Sequence, residues 1–494
     1  MVELHRYDGL DLATYRRIVL SGEQVVIDKR LLEHVGQRRE ALLRHLDTGV
    51  AAYGVTTGLG YLASESVGEE DQASLQRSLL MARASGLGPP LPRDVVRGAM
   101  VLRLVGFLSG FPGVTPELCR FLTDRLNEGW NPVVPSGPYG ASGEIAPLAH
   151  LFQTFIGEGY VELDGERLPA AEALIRSGAE VYDPGVKEGV ALLNGSPFAT
   201  ALGARLGDHG VRLLDQATVT AALAVTLVGA SARPFAARVV SLGRDDPEQR
   251  IGQRVLELLD GDAHWEDKPQ PPVSFRVVPQ VHGVLARALD ELSATVERRL
   301  VSITDSPVFL DAERAEPEGL YPAGGFHAID ITLRLEGVAL AVAQVTNLVE
   351  KRLHRLLDAR FSGLPEQLAR RPGVQAGAVS LHKAVVGLAA ENRLLAAPAS
   401  VHALDTSTGQ EDVQAFTFLT AGRLSAMFDN LESALACELV AIRQAAHLRE
   451  EALAARLLAA VVERLAEIVD PIDEDRTLSP DVERVRALLH SGEL

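Results

Sequence analysis

Gly140-Ala141-Ser142-Gly143-Glu144 sets one hydroxyl among three small residues, directly ahead of the helix-like run Ile145-Ala146-Pro147-Leu148-Ala149-His150. Gly143 has no Cβ, so its amide nitrogen is able to approach the Ala141 carbonyl carbon. Ring closure there, with loss of two waters, would turn the Ser142 Cα–Cβ bond into an exocyclic methylidene. The product is an electron-poor alkene made from the chain itself. An Ala-Ser-Gly turn alone is ordinarily only a turn, so its meaning depends on its surroundings.

Those surroundings are helical. The chain has 494 residues, of which 47% are hydrophobic and only 5% aromatic, and its Ala/Leu-rich composition favours helices over sheets. LQRSLLMARA and PRDVVRGAMVLRLVGFL repeat apolar residues at helical spacing, with GLGPPLP as a breaker between them. Gln24 to Ile27 reads as strand, and residues 159–188 hold a hairpin-like piece and a loop. NPVVPSGPYGASGEIAP stands out as a Gly/Pro-rich turn. Beyond residue 198 long helical patterns dominate, over 199–230, 280–303, 331–357, 379–396 and 412–469, with loops at 262–275, 305–328, 358–378 and 398–411. The expected fold is therefore mainly α: an N-terminal domain (1–198) carrying the turn and a C-terminal long-helix bundle (199–494). Helices this long need partners along their whole length, which points to a bundle shared between subunits.

Net charge is -18, from 48 basic and 66 acidic residues, which disfavours nucleic acid and anionic membranes as partners. Ala217 to Ala232 is apolar but too short for a membrane span, and reads as a helix buried on all sides. Cys119 and Cys437 form no metal or disulfide pattern and are expected as buried thiols. The first residues, MVELHRYDGLDLATYRR, are charged throughout and lack the apolar core of a signal peptide, so a cytoplasmic chain is expected. GxSxG, P-loop, HExxH and Rossmann fingerprints are missing.

ASGEIAPLAHL with Gly-Pro-Tyr-Gly ahead of it resembles the signature of the histidine/phenylalanine/tyrosine ammonia-lyase family, G-S-V-G-A-S-G-D-L-A-P-L-A-H. Pro138, Tyr139, Glu144 and Ile145 are departures from it. Further motifs follow in the family order: Tyr53-Gly54-Val55-Thr56-Thr57-Gly58-Leu59-Gly60, Leu75-Gln76-Arg77-Ser78-Leu79, Lys187-Glu188-Gly189, Leu193-Asn194-Gly195-Ser196, Gln270 with Ser274, Arg276 and Pro279-Gln280, Phe326-His327, and Gln410-Glu411-Asp412. The resemblance spans residues 53–412.

It implies a fumarase/aspartase-like helical core, a homotetramer with active sites shared between subunits, and a prosthetic 4-methylideneimidazole-5-one (MIO) formed from Ala141-Ser142-Gly143. It requires no metal or diffusible cofactor. The chemical task is to remove a weakly acidic β-proton while ammonia, a poor leaving group, departs. An electrophile that captures the amine eases departure, and a base takes the proton. By the resemblance Tyr53 is that base, serving a site whose Ser142 lies on a neighbouring subunit. Arg276 is the fork that holds the substrate carboxylate, and Asn194 bonds the MIO ring or the amine. Gln270 and Glu411 line the pocket, with Glu411 near the amine, while Gly60 and Phe326 shape its wall. His150 and His327 are read as structural. Helix N-termini aimed at the site would stabilise developing negative charge.

Several family residues are replaced. Val273 stands at a tyrosine position, Ser306, Gly325 and Gly409 at asparagine positions, and Val413 at a position often histidine in histidine lyases. Ala82-Arg83 occupies the selectivity pair. Arg83 either pairs with an internal carboxylate such as Glu411 or meets a polar substrate side chain; phenylalanine is disfavoured beside a buried cation. The resulting expectation is an ammonia-lyase acting on a polar L-α-amino acid, histidine first, to give an α,β-unsaturated acid. A 2,3-aminomutase and a non-catalytic homologue are the alternatives.

Overall fold

The computed structural model describes residues 1–493 apart from 267–269, 403 and 450. Helices dominate. Those used below are α1 (Lys29–Leu46), α2 (Glu69–Ala82), α3 (Arg93–Leu108), α4 (Ile145–Phe152), α5 (Glu188–Leu193), α6 (Pro197–Leu227), α7 (Val278–Leu300), α8 (Ile329–Leu356), α9 (Val379–Leu395), α10 (Thr417–Arg449), α11 (Arg456–Ile468) and α12 (Ser479–Ser491).

The chain forms two compact units. The first contains Met1–Arg205, Ser293–Leu333 and Ala399–Ala421, and the second contains Leu206–Leu292, Arg334–Pro398 and Gly422–Leu494. Four helices, α6, α7, α8 and α10, are divided between the two, so no single cut in the sequence separates them.

The first unit holds all the described strands. β1 (Val2–Leu4) pairs in parallel with β2 (Val25–Ile27). β3 (Asn131–Pro132), β4 (Tyr160–Leu163) and β5 (Glu166–Pro169) form an antiparallel sheet. Asp164 and Gly165 close its hairpin with φ of 52° and 80°, the backbone a two-residue Asp-Gly turn requires. A second hairpin, β6 (Val308–Leu310) with β7 (Gly319–Tyr321), lies in the segment expected to be loop. Its strands are too short for alternation to be visible in sequence. α3 is buried throughout Val95–Leu108, and its Arg97 is satisfied by the carbonyls of Ile18 and Leu126 at 2.8 and 2.6 Å.

In the second unit every residue from Gln216 to Leu227 of α6 is buried, as expected of a helix surrounded on all sides, but the helix ends at Leu227, short of the expected Ala232. Among the described residues no helix is long and apolar enough to cross a membrane. Arg352 of α8 and Glu438 of α10 are both fully buried and paired bidentately at 2.9 Å. Asn392 of α9 donates to Thr346 Oγ1 at 3.0 Å and to the Met427 carbonyl at 3.2 Å. The run 412–469, expected as one helix, is two. Phe416 adopts φ 52°, so α10 starts only at Thr417. At the other end, the Ala455 amide donates to Asp262 at 2.8 Å and restarts the chain as α11. Both cysteines are buried and unpaired.

Candidate active site

Tight glycine contacts build the first wall. A Cβ on Gly189 would lie 2.3 Å from the Gln76 carbonyl oxygen, so α5 approaches α2 at a distance only glycine permits. Gln76, fully buried, uses that contact: its amide donates to the Gly54 carbonyl at 2.9 Å and its oxygen accepts from Val190 N–H at 3.4 Å. Gly54 itself has φ +68°, and a Cβ there would strike Val190. The LQRSL helix and the Lys-Glu-Gly turn thus clamp the loop that carries Tyr53. The Gly60 N–H donates to the Tyr53 hydroxyl at 2.8 Å, which fixes the phenol.

The second wall is the turn ahead of α4. Ser142 N–H points at Glu411 Oε2 at 3.4 Å, and the Ser142 hydroxyl donates to the Val413 carbonyl at 2.7 Å. Phe326 covers Gly143, with ring atoms 3.4 Å from the place a Cβ would occupy. Glu144 anchors the turn from below. Its two oxygens accept the Phe198 and Ala199 amides at 2.7 and 2.6 Å, at the start of α6. Burial pushes the Glu144 carboxyl up to about 8, against the pull of those amides and then of Arg299 and Arg103. Tyr139 packs edge-on against Phe418 at 4.9 Å and donates to the Pro135 carbonyl at 2.5 Å. His150 accepts the Gly86 N–H at 2.8 Å, a structural bond, and burial lowers its basicity.

These walls enclose a cavity of about 510 Å³ in the first unit, lined among others by Tyr53, Gly60, Ala82, Arg83, Ala141, Asn194 and Glu411. Ser142, Gly143 and Phe326 line a small adjoining pocket that shares Ala141. Tyr53 and Ala141 therefore face one cavity within a single chain. Gln270 and Arg276 belong to the second unit. Gln270 is exposed, and Arg276 ends the short helix Val273–Arg276 with its Nε buried and, among the described residues, without a hydrogen bond.

Residues 10–467 match the aromatic amino acid lyase family. The chain belongs to that family. It is 33% identical over 479 residues to the histidine ammonia-lyase of Symbiobacterium thermophilum, covering 96% of this chain and 94% of the relative. The histidine ammonia-lyase of Gloeobacter violaceus is 34% identical over 497 residues, covering 99% and 96%. The solved structure of a tyrosine aminomutase from Streptomyces globisporus superposes with a TM-score of 0.91 at 27% identity, covering 100% of this chain and 97% of that one. This aromatic amino acid lyase homologue is a carbon–nitrogen lyase with the mainly helical fold of those relatives.

The geometry accounts for several departures from the family pattern. A Cβ at Gly325 would lie 2.7 Å from the Ile303 carbonyl oxygen, so this chain excludes a side chain there. Gly409 has φ +88°, a conformation open to glycine and tolerated by asparagine. Ser306 Oγ accepts the Ala323 N–H at 3.1 Å. Val413 contributes its carbonyl, while its side chain is 58% exposed. Val273 is likewise exposed.

Arg83 ends α2 half-buried at the cavity wall. Burial lowers the pKa of its guanidinium, opposed by the fields of Tyr53 and Glu411. It makes no ion pair with Glu411. Among the described residues its guanidinium has no hydrogen-bond partner, while Glu411 Oε2 is engaged by Thr406 Oγ1 at 3.0 Å and by Ser142 N–H.

Sequence reasoning missed Thr406 and Ser407, which line the cavity opposite Gly60. Ser407, Thr408 and Gly409 take φ of 52°, 54° and 88° in succession. The polar Thr-Ser-Thr-Gly string marked a loop, but nothing local showed where it points.

Proposed function

We propose that this chain is an ammonia-lyase releasing ammonia from a polar L-α-amino acid, L-histidine first, and giving the α,β-unsaturated acid. The observation that carries the reading is the shared cavity, in which Tyr53, Asn194, Arg83 and Glu411 surround Ala141. Histidine is supported by Glu411 and the LQRSL helix, and by the histidine ammonia-lyases to which the chain is similar over nearly its full length.

The tripeptide fits an MIO group made from Ala141-Ser142-Gly143: Gly143 carries no Cβ beneath the Phe326 ring, and α4 begins directly after Glu144. That group supplies an electrophile for the substrate amine. The chain's own residues do the rest. Tyr53 takes the β-proton at its phenolic oxygen, which the Gly60 N–H holds in position. Glu411 holds the amine end through the oxygen that Thr406 and Ser142 orient. The N-terminus of α4, whose Ile145 and Ala146 line the cavity, offers its positive end to charge developing at the turn. Arg83 donates to an acceptor atom of the substrate side chain, such as the unprotonated nitrogen of a neutral imidazole. Arg276 binds the carboxylate end and Gln270 lines the pocket in a homotetramer with shared sites. Exposed apolar residues such as Leu340, Val386 and Leu394 on helices of the second unit support such an assembly.

Screening polar amino acids for ammonia release and an ultraviolet-absorbing product, beside intact mass, tests the proposal. A chain lighter by two waters that makes no unsaturated acid from any polar amino acid refutes it. A second reading, a 2,3-aminomutase, is supported by the likeness to tyrosine aminomutase. Appearance of a β-amino acid in the same reactions selects it.

A further inference from the structure

Three helices bring the second-unit residues His209 (α6), Glu432 (α10) and His490 (α12) to one point, and none of the three belongs to the candidate active site. His209 Nε2 lies 3.6 Å and His490 Nδ1 3.3 Å from the same carboxylate oxygen, Glu432 Oε1, and the three atoms all fall within 4.8 Å of one another. A tetrahedral zinc ion bonded to nitrogen and oxygen at about 2.0–2.2 Å holds neighbouring ligand atoms about 3.3–3.5 Å apart. The two edges that meet at Glu432 Oε1 lie close to that spacing before any ion is added.

The carboxylate is the unusual member. Glu432 is only 1% exposed, yet its Oε2 makes no hydrogen bond among the described residues. Arg486 Nε stands 3.6 Å from that oxygen, on the other side of the carboxylate from the imidazoles' target atom. Oε1 is already hydrogen-bonded to His490 Nδ1 at 3.3 Å, and a divalent cation between Oε1 and the two imidazoles would replace that contact with stronger coordinate bonds to a carboxylate buried away from water. The His209 ring is oriented by edge contact with Phe428 at 5.0 Å. The His490 side chain is 68% exposed, which leaves an open fourth position for water.

The other histidine–carboxylate cluster of this unit, Glu350 with His354 and His382, is drawn more tightly together. Glu350 Oε1 is already hydrogen-bonded to His382 at 2.8 Å and Oε2 to Lys351 at 2.7 Å. Those edges are too short to admit an ion, and an ammonium occupies the second oxygen.

We propose that His209, Glu432 and His490 form a binding site for one borderline divalent cation of the zinc type, which fastens the C-terminal helix α12 to α6 and α10. Two imidazoles and one carboxylate suit such an ion better than calcium or magnesium, which prefer all-oxygen cages.

The test uses the full chain freed of metal by chelation and titrated with Zn²⁺ by calorimetry and with Co²⁺ by absorption. One equivalent per chain is expected, with the visible bands of tetrahedral Co²⁺ and a metal-dependent rise in melting temperature. His490→Ala alters an exposed side chain and leaves the fold intact. It is expected to weaken Zn²⁺ at least tenfold and abolish the melting shift, whereas His382→Ala leaves both unchanged. Absence of a stoichiometric site, equal affinity in His490→Ala, or loss of binding in His382→Ala would each overturn the proposal. Ammonia release in His490→Ala is expected to equal that of the parent chain.

Discussion

Replacing Tyr53 by phenylalanine removes one oxygen atom from the cavity wall and little else. Among the described residues that oxygen has one hydrogen bond, from the Gly60 N–H at 2.8 Å, and the residue is 36% exposed. A bond of this kind contributes about 0.5–1.5 kcal/mol to stability, and water is able to replace it at the Gly60 amide. Were the hydroxyl only structural, the loss would appear as a small drop in melting temperature and a change in rate of about tenfold at most. A positioned general base contributes about 10²–10⁴ in rate, or about 2.7–5.5 kcal/mol of transition-state stabilisation. The two roles therefore differ by more than the error of a steady-state assay. Initial rates of ammonia release should give kcat lowered by at least a hundredfold in Tyr53→Phe, with KM changed by less than a few-fold. The variant should retain its melting temperature within a few degrees and the same intact mass as the parent chain. A kcat within fivefold of the parent would remove Tyr53 as the proton acceptor.

Four further outcomes follow from particular contacts. Ser142→Ala, which removes the hydroxyl that donates to the Val413 carbonyl, should run at full uncyclised mass and release no ammonia; a water-depleted mass in this variant would contradict the tripeptide chemistry. Gly189→Ala places a methyl group 2.3 Å from the Gln76 carbonyl oxygen, so denaturant unfolding should register a loss of about 1–3 kcal/mol, together with reduced activity as the Tyr53 loop shifts. Glu438→Gln leaves Arg352 charged and fully buried, a change expected to cost about 3–5 kcal/mol, while Arg352→Met combined with Glu438→Leu should recover most of it. Burial holds the His282 imidazole at about 3, against an ordinary 6.5. Its stabilising contribution is therefore complete above pH 6.5 and is lost as pH falls toward 3, with a slope of up to about 1.4 kcal/mol per pH unit. Unfolding curves between pH 6.5 and 5 should flatten in His282→Gln, and an unchanged slope would assign the acid sensitivity elsewhere.

Much of the fold was legible because it is local. The apolar period set the cores of α2, α3, α6, α7, α8 and α9, and residues 159–188 read as a hairpin-like piece and a loop, where β4 and β5 pair. Helix ends were less legible where the cause lay far away. The start of α11 depends on Asp262, 193 residues distant, and the start of α10 on the left-handed Phe416, which no residue preference foretells. At the candidate site the motifs marked Tyr53, Asn194 and Glu411 one by one, and the structure places these three at one cavity. The two competing partners for Arg83 were indistinguishable in sequence, because an ion pair is a distance and not a spacing.

The sequence by itself determined which groups are present: a Ser between Ala and Gly, a Tyr before a glycine turn, a carboxylate at 411, and helical repeats long enough to demand a bundle. Those are properties of residue type and of neighbours a few positions away. Tertiary structure decided what faces what. Glu411 meets the Ser142 amide across 269 residues of chain, and Gly189 earns its missing side chain only because α2 lies against it. Such contacts arise when separate helices close on one another, and the approach of two backbones to within a methyl group's width leaves no trace in either segment alone.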